Sequence, residues 1–200
     1  MINSASTTQS PEVTSQEVLI VKKAISGDAE AFASLYDAYV DDVYRFVFHR
    51  VGHEQTAEDL TSQVFLKAWD NLGRYKVRGL PFGAWLFQIA RNSVIDYYRT
   101  HKEILPLEPN AATEPDPSMN VAREVEKRLE GEWVRTILYK LTQEQREVLI
   151  LKFINGLKTK EIAQVMGKGQ GAIRALQMRA LHALADIIGK DDEEAGEDTG

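Results

Sequence analysis

The sequence predicts an all-α fold, with two small helical domains joined by a flexible acidic linker. Apolar residues recur at every third or fourth position through most of the chain, which is the spacing of one buried helix face. Several stretches open with a small polar residue followed three positions later by an acid or amide, as helix N-termini do. Alternating β-branched segments with hairpin turns, which are typical of sheets, are missing.

The first block with helical spacing covers residues 15–102. Two capping boxes are predicted there, at Thr14 with Glu17 and at Thr56 with Asp59. Asp28 is placed to cap the helix that begins AEAFASLYDAY. The predicted helices of this block span 15–25, 29–51, 57–72 and 82–101.

The second block covers residues 122–188. Thr142 and Gln145 have the spacing of a further capping box. The predicted helices of this block span 122–140, 143–154, 159–166 and 170–188.

Three segments lack helical spacing. Residues 1–14 are rich in serine and threonine and are predicted to be disordered. Residues 103–121 include the stretch PLEPNAATEPDPSMN, which has four prolines, so they are predicted to form a linker. Residues 189–200 carry one lysine and six acids and are predicted to form an acidic disordered tail.

The charge is unevenly distributed. The whole chain carries a formal net charge of −6, which argues against a nucleic-acid partner, but −5 of this comes from the tail at 189–200. Residues 152–188 hold six lysines or arginines against Glu161 and Asp186. The second block is therefore locally basic, and local charge governs binding to phosphates more than the total does.

Several classes of protein are excluded by composition. The sequence has no run of about 18 apolar residues, so no membrane-spanning segment is predicted. No signal peptide is visible either. The chain has no cysteine, so disulfides and thiolate metal sites are excluded, and a cytoplasmic location is expected. His49 and His53 lie four apart, but Arg50 stands where a zinc protease motif has glutamate and Gly52 interrupts the helix. No metal and no cofactor are predicted.

The stretch IAQVMGKGQGAIRALQMRAL contains three glycines at alternate positions. A nucleotide-binding loop would require a strand before the glycines, whereas TKEIAQVM has helical spacing. Gly167 follows the last apolar residues of a short helix and suits a left-handed C-terminal cap. After it, apolar residues at 173, 176, 180, 184 and 187 form one stripe. The opposite face holds Arg174, Ala175, Met178, Arg179 and His182.

A short helix, a tight turn and a longer helix with a basic outer face predict a helix-turn-helix that enters a DNA groove. A helical hairpin with a solvated basic face is the alternative from this stretch alone.

The segment LTQEQREVLILKFINGLKTKEIAQVMGKGQGAIRALQMRAL resembles region 4 of bacterial sigma factors. The residues that match or nearly match the family pattern are Thr159, Glu161, Ile162, Ala163, Gly167, Arg179 and Ala180. Gly169 departs from it, because the family usually has serine or threonine there to cap the recognition helix. Glycine weakens such a cap by only a few tenths of a kcal/mol.

The first block resembles sigma region 2. SGDAEAFASLYDAYVDDVYRFV resembles its opening, TAEDLTSQVFLKAW the segment that docks on core RNA polymerase, and PFGAWLFQIARNSVIDYYRTH the promoter-melting segment. Two blocks with a short acidic linker and no third domain are the layout of the extracytoplasmic-function (ECF) branch of the sigma-70 family. The resemblance implies a region 2 helical bundle at 15–102 and a region 4 helix-turn-helix at 122–188.

In the docking segment, the resemblance implies that Asp59, Gln63 and Trp69 contact core polymerase. Leu60, Val64, Ala68 and Leu72 are expected to form the buried stripe of the same helix. An ordinary solvated face is the alternative for Asp59, and a place in the core of its own domain is the alternative for Trp69.

In the melting segment, the resemblance implies binding of the −10 promoter element on the non-template strand. An aromatic plane, amides and a cation share one helix face there, and opened bases require such a surface to replace lost stacking. Gln88 and Asn92 are the best candidates for base contacts, and Asp96 is expected to orient Arg99 rather than to touch DNA. The predicted −10 residues are Trp85, Gln88, Asn92 and Arg99 on the helix, and Arg74, Lys76 and Arg78 in the preceding loop.

In the second block, the resemblance implies binding of the −35 element in the major groove. Gln170 and Arg174 are placed to reach bases, and Lys168 and Arg179 to hold phosphates.

The predicted function is that of an ECF sigma factor, a non-enzymatic subunit that binds core RNA polymerase and directs it to −10 and −35 elements. An anti-sigma partner is left open. A DNA-binding regulator that uses only the helix-turn-helix would leave the docking segment and the Trp85–Arg99 face unexplained. A purely structural helical protein would need neither face, and no acid–base or nucleophile constellation suggests an enzyme.

Overall fold

A computed structural model describes residues 15–77, 80–101, 133–134 and 136–197, with side chains described as far as Lys190. These ranges contain helices and no strand. The predicted disordered N-terminus at 1–14, the predicted linker at 103–121, Thr14 and Arg78 lie outside the described residues.

The N-terminal module, residues 15–101, contains four helices. They are α1 (Ser15–Ile25), α2 (Ala29–Val51), α3 (Glu54–Asn71) and α4 (Phe82–Thr100), with a 3-10 turn at Leu72–Arg74. The C-terminal module comprises the described residues from 133 onwards. It contains helical residues 136–140, α5 (Gln143–Leu149), a π-helical turn at Ile150–Ile154, α6 (Thr159–Met166) and α7 (Gln170–Glu197).

Helix α2 begins and ends where its sequence dictates. The Asp28 carboxylate accepts the backbone N–H groups of Glu30 and Ala31 at 3.0 and 3.1 Å, which confirms the predicted cap. At the other end, Gly52 adopts a φ of 75° and donates its N–H to the Phe48 carbonyl at 2.8 Å. Helix α3 starts soon after that turn, at Glu54, so the prediction that Thr56 caps a helix beginning at 57 is wrong.

Three helices supply most of the core of the N-terminal module. Phe46 of α2, Val64 of α3 and Leu86 of α4 are completely buried. Burying each such side chain stabilises the fold by about 1.5–3 kcal/mol. The predicted stripe of Leu60, Val64, Ala68 and Leu72 is buried throughout, which confirms that spacing argument.

In the C-terminal module, Thr142 and Gln145 form the predicted capping box, with Thr142 donating its backbone N–H to Gln145 at 3.1 Å. The prediction of an α-helix over 143–154 is only partly correct, because the last turn widens to π geometry. In that turn Asn155 donates its N–H to the Ile150 carbonyl, five residues back, at 3.0 Å.

Helix α6 ends as predicted, at Gly167 with a φ of 65°. Helix α7 then continues to Glu197, so the prediction that helical structure stops at 188 and a disordered tail begins at 189 requires correction. The residues after 188 include lysine, alanine and glutamates, which favour helix, and no proline stops them.

The two modules contact each other. Helix α6 packs against α4, and the π-helical turn packs against α2. None of the helices in the described part of the chain combines the length and hydropathy that crossing a bilayer requires.

Candidate nucleic-acid interface

A polar cleft of about 420 Å³ opens between α3 and α4 of the N-terminal module. It is lined by Lys67, Asn71, Arg74, Trp85, Gln88, Ile89, Asn92, Ser93 and Asp96. Four of the residues predicted for the −10 element, Arg74, Trp85, Gln88 and Asn92, are thus brought together. The polar and aromatic groups that line the cleft are one indole, three carboxamides, two cations, one hydroxyl and the carboxylate of Asp96.

The aromatic wall of the cleft is held by packing. The Trp85 ring lies 5.0 Å from the Tyr75 ring and 5.6 Å from the Phe82 ring, measured between centroids. The Tyr75 hydroxyl donates to the Leu80 carbonyl at 2.6 Å, and burial raises the pKa of this tyrosine to about 12. A neutral Tyr75 therefore ties the loop before α4 to the ring stack, and Trp85 keeps a half-exposed face toward the cleft.

Lys67 contributes to this cleft, which sequence reasoning missed. Its ammonium donates to the Ser93 hydroxyl at 3.0 Å across the α3–α4 contact. Asn71, one turn further along α3, donates its side-chain amide to the Lys67 carbonyl at 2.8 Å. Helix spacing places Lys67 on the same side of α3 as Asp59 and Gln63. Only the packing of α3 on α4 reveals that this face runs into the cleft.

The other described residues predicted for the −10 element, Lys76 and Arg99, do not line the cleft. Arg99 forms an exposed ion pair with Asp96 at 3.2 Å, as expected for a carboxylate that orients the arginine. Lys76 is exposed in the loop before α4, and Arg78 lies outside the described residues.

The predicted polymerase-docking residues lie on the exposed side of α3. Asp59 and Gln63 are exposed, and Leu66 between this face and Trp69 is 65% exposed. Trp69 is 41% exposed and packs edge-on against Phe32 of α2 at 4.8 Å. Trp69 thus packs partly within its own domain, which is the alternative given for it above. The exposed part of its ring remains accessible to a partner.

The second candidate surface is the outer face of α7. Gln170, Arg174 and Met178 are all exposed, and their spacing of four places them on one face. Arg179 is exposed beside them, while the ammonium of Lys168 pairs with Glu144 of α5 at 2.9 Å. Ile173, Leu176 and Ala180 are buried on the opposite side, as the apolar stripe predicted.

The C-terminal module also has an apolar groove that sequence reasoning missed. It has a volume of about 320 Å³ and includes the exposed side chains of Trp133, Phe153 and Leu181. These residues come from three separate segments, so helix periodicity alone could not group them. Exposed apolar surface of this kind is typical of interaction sites.

In the described residues, no three histidines, acids or cysteines are grouped as metal ligands would be. The described residues form a cleft with stacking and hydrogen-bonding groups and a helix with an exposed basic face, which are features of a recognition surface.

Comparison with known proteins agrees with this arrangement. Residues 35–104 match Sigma-70 region 2, and residues 131–184 match Sigma-70, region 4. The chain is 39% identical over 180 residues to the ECF RNA polymerase sigma factor BldN of Streptomyces coelicolor, covering 86% of this chain and 66% of that one. It is 34% identical over 180 residues to the ECF RNA polymerase sigma factor SigD of Mycobacterium tuberculosis, covering 84% of this chain and 82% of that one.

Solved structures show the same fold. The structure of CnrH in complex with the cytosolic domain of CnrY matches with a TM-score of 0.70 and 26% identity, over 88% of this chain and 98% of CnrH. The sigma factor RpoE in complex with the anti-sigma factor NepR from Bartonella quintana matches with a TM-score of 0.63 and 20% identity, over 80% of this chain and 98% of RpoE.

Proposed function

Because this chain belongs to the ECF branch of the sigma-70 family, we propose that its two exposed polar faces are the surfaces with which it reads a promoter. The family directs promoter-specific transcription initiation by RNA polymerase, and its members are regulatory rather than catalytic. Domain limits of 15–102 for region 2, 103–121 for the linker and 122–188 for region 4 are part of the proposal.

The cleft between α3 and α4 is proposed to hold the opened non-template strand of the −10 element. The observation that carries this assignment is the convergence of Trp85, Gln88 and Asn92 on one cleft with Lys67 and Arg74. Unpaired bases can stack on the indole and bond to carboxamides, while the two cations neutralise phosphates. Arg99, Lys76 and Arg78 are proposed to extend the phosphate contacts beyond the cleft.

The outer face of α7 is proposed to read the −35 element in an intact major groove. Arg174 can donate two N–H groups to a guanine edge, and Gln170 can bond an adenine edge by donating an amide N–H to N7 and accepting from the N6 amino group. Arg179 and Lys168 are assigned to phosphates. For Lys168 this requires exchange of its ion pair with Glu144 for a phosphate.

Core RNA polymerase is proposed to bind the exposed side of α3 through Asp59, Gln63 and Trp69. An anti-sigma protein is proposed as a further partner. The solved structure of CnrH contains the cytosolic domain of CnrY, and that of RpoE contains the anti-sigma factor NepR. A cytoplasmic location is part of the proposal, because the RNA polymerase with which the chain is proposed to act is cytoplasmic.

Run-off transcription with purified core polymerase tests the proposal. The chain should make core enzyme initiate at promoters that core alone ignores. The double variant Gln88→Ala with Asn92→Ala should retain polymerase binding but lose promoter opening, measured by permanganate reactivity of unpaired thymines. Gln16→Ala, an exposed amide on α1, is the matched control and should behave as wild type.

Two results would contradict this reading. A chain that binds promoter DNA but never confers specificity on core polymerase would be a one-component regulator. Normal promoter opening by the double variant would remove the −10 assignment from the cleft while leaving the family unchanged.

A further inference from the structure

Helix α7 carries a large apolar side chain in the middle of its exposed face. Met178 is 62% exposed, whereas Met166, the other methionine among the described residues, is buried at 5%. Each residue of an α-helix is rotated by about 100° from the one before, so Met178 lies about 140–160° around the helix from Ile173, Leu176 and Ala180. Because those three side chains are buried, the Met178 side chain points away from the core and takes no part in it.

The neighbours of Met178 on this face leave room for a ligand. Arg174 and Ala175 lie one turn before it and Gly171 two turns before it, and all three are exposed. A Cβ atom added at Gly171 would meet nothing within 4 Å, so no described residue covers that part of the face. Small residues such as Gly171 and Ala175 allow the helix backbone to approach a ligand closely. The longer Met178 side chain can then reach into the surface that the helix approaches.

The direction of helical side chains brings Met178 towards Arg174. Long side chains lean towards the N-terminus of their helix and cover the preceding turn. Residues four apart are separated by about 6 Å along the helix axis, and neighbouring base pairs are separated by about 3.4 Å. A helix that lies along a major groove therefore places Met178 one or two base pairs from the base that Arg174 contacts.

The major groove offers an apolar side chain one distinctive group. The base edges present hydrogen-bond donors and acceptors there, and thymine alone adds a C5 methyl group. The methionine thioether is flexible and polarizable, so it can adapt its shape to pack against such a group. Packing removes both the methyl group and the exposed methionine from water, which favours the complex.

We propose that Met178 is a specificity-determining residue, which selects thymine by packing against its C5 methyl group one or two base pairs from the base that Arg174 reads. This inference rests on the proposed function of α7, because it names a base that the same face recognises. Gln170 and Arg174 recognise their bases by hydrogen bonds, and Met178 adds an apolar contact.

Selection of DNA duplexes by the polymerase holoenzyme locates the thymine. The duplexes are randomised over the −35 segment, and the bound and unbound fractions are sequenced. Arg174→Ala should lose the preference for one base. Met178→Gln should lose a preference for thymine one or two base pairs away, whereas Met178→Leu, which keeps an apolar side chain, should retain it. Since Met178 is exposed, neither substitution should disturb the fold.

Replacement of that thymine by uracil then removes the methyl group alone. Binding by the wild-type holoenzyme should weaken about fourfold, which corresponds to about 0.8 kcal/mol for one buried methyl-sized group. The Met178→Gln holoenzyme should bind the thymine and uracil duplexes equally. Arg179→Ala is the matched control on the same helix, because loss of this exposed cation should weaken binding to both duplexes and preserve the ratio between them.

Equal binding of thymine and uracil duplexes by the wild type would overturn the proposal. A uracil effect that persists in Met178→Gln would also overturn it, because the methyl contact would then belong to another residue, such as Ala175. Failure of the proposed function would look different. The selection would then return no base preference at all, including the one that Arg174→Ala removes, and both proposals would fall.

Discussion

Gly52, which ends α2, lies so close to Tyr139 of the C-terminal module that a Cβ atom at residue 52 would stand 2.5 Å from the tyrosine hydroxyl oxygen. Its φ of 75° is a left-handed conformation that side chains rarely adopt. Two separate demands therefore meet at this residue. The turn requires a positive φ, and a side chain at residue 52 would have to displace the Tyr139 hydroxyl from the inter-module contact.

Gly52→Ala should destabilise the protein by more than Gly27→Ala does. Gly27 also has a positive φ, of 94°, but a Cβ atom there meets nothing within 4 Å. We expect Gly27→Ala to cost about 1 kcal/mol from backbone strain alone, and Gly52→Ala to cost at least about 1 kcal/mol more. Urea unfolding of the full chain measures both. Adding Tyr139→Phe, which removes the nearest atom, should restore part of the difference; equal losses for the two alanine variants would contradict the close approach.

Arg174→Ala should relax promoter discrimination by about 1–3 kcal/mol. Arg179→Ala, a loss of one exposed cation on the same helix, should instead weaken promoter and random duplex alike and reduce the salt dependence by about one counterion. Competition binding of the polymerase holoenzyme to the two duplexes separates these behaviours. Equal weakening on both duplexes by Arg174→Ala would refute its role in base reading.

Lys67→Met should weaken binding of single-stranded −10 DNA while leaving core polymerase binding unchanged. Lys67 lines the cleft, and its ammonium donates to the Ser93 hydroxyl. Replacing Lys67 therefore removes a positive charge from the cleft in which the single DNA strand is proposed to lie. The slope of log affinity against log salt should fall by about 0.7, the value for one phosphate contact on a single strand. Lys22→Met, at an exposed lysine of α1, should change neither quantity. A salt slope unchanged by Lys67→Met would place this lysine outside the DNA path.

Glu17→Gln should stabilise the protein at pH 7. The Tyr39 hydroxyl donates to the Glu17 carboxylate at 2.8 Å, yet partial burial raises the pKa of Glu17, and the charge of Glu161 raises it further. A raised pKa means that the folded state penalises the charged form, so this penalty is present above the folded pKa and disappears as pH falls toward 4.5.

The gain from Glu17→Gln should therefore shrink between pH 7 and pH 4.5, and solvent screening keeps it below about 1 kcal/mol. Thermal unfolding across this range measures it. Glu58→Gln, at an exposed acid on α3, serves as the control and should show no such trend. A gain that stays constant with pH would show that the charge of Glu17 is not penalised.

The spacing of apolar residues was sufficient to predict most of the helices in the described residues, whereas most of the helix predicted at 122–140 lies outside them. Leu60, Val64, Ala68 and Leu72 are buried because residues three or four apart must lie on one side of a helix, whatever the rest of the chain does. Local chemistry also predicted three ends correctly, at Asp28, Thr142 and Gly167. It was wrong at Thr56, where the turn at Gly52 sets the start of α3 instead.

The sequence by itself thus determined the all-helical class, the helix faces, the basic surface of α7 and the residues that carry the family resemblance, because each depends on neighbours within about one helical turn. Only the tertiary structure decided that Lys67 joins the cleft and that Glu147 bridges Arg50 and Arg91. Glu147 lies 97 positions after Arg50 and 56 after Arg91. No local periodicity relates charges so far apart, and their partnership exists only because the packing of the modules places Arg50 3.0 Å and Arg91 2.5 Å from the Glu147 carboxylate. This packing buries Arg50 and Glu147, while the Arg91 side chain stays 22% exposed.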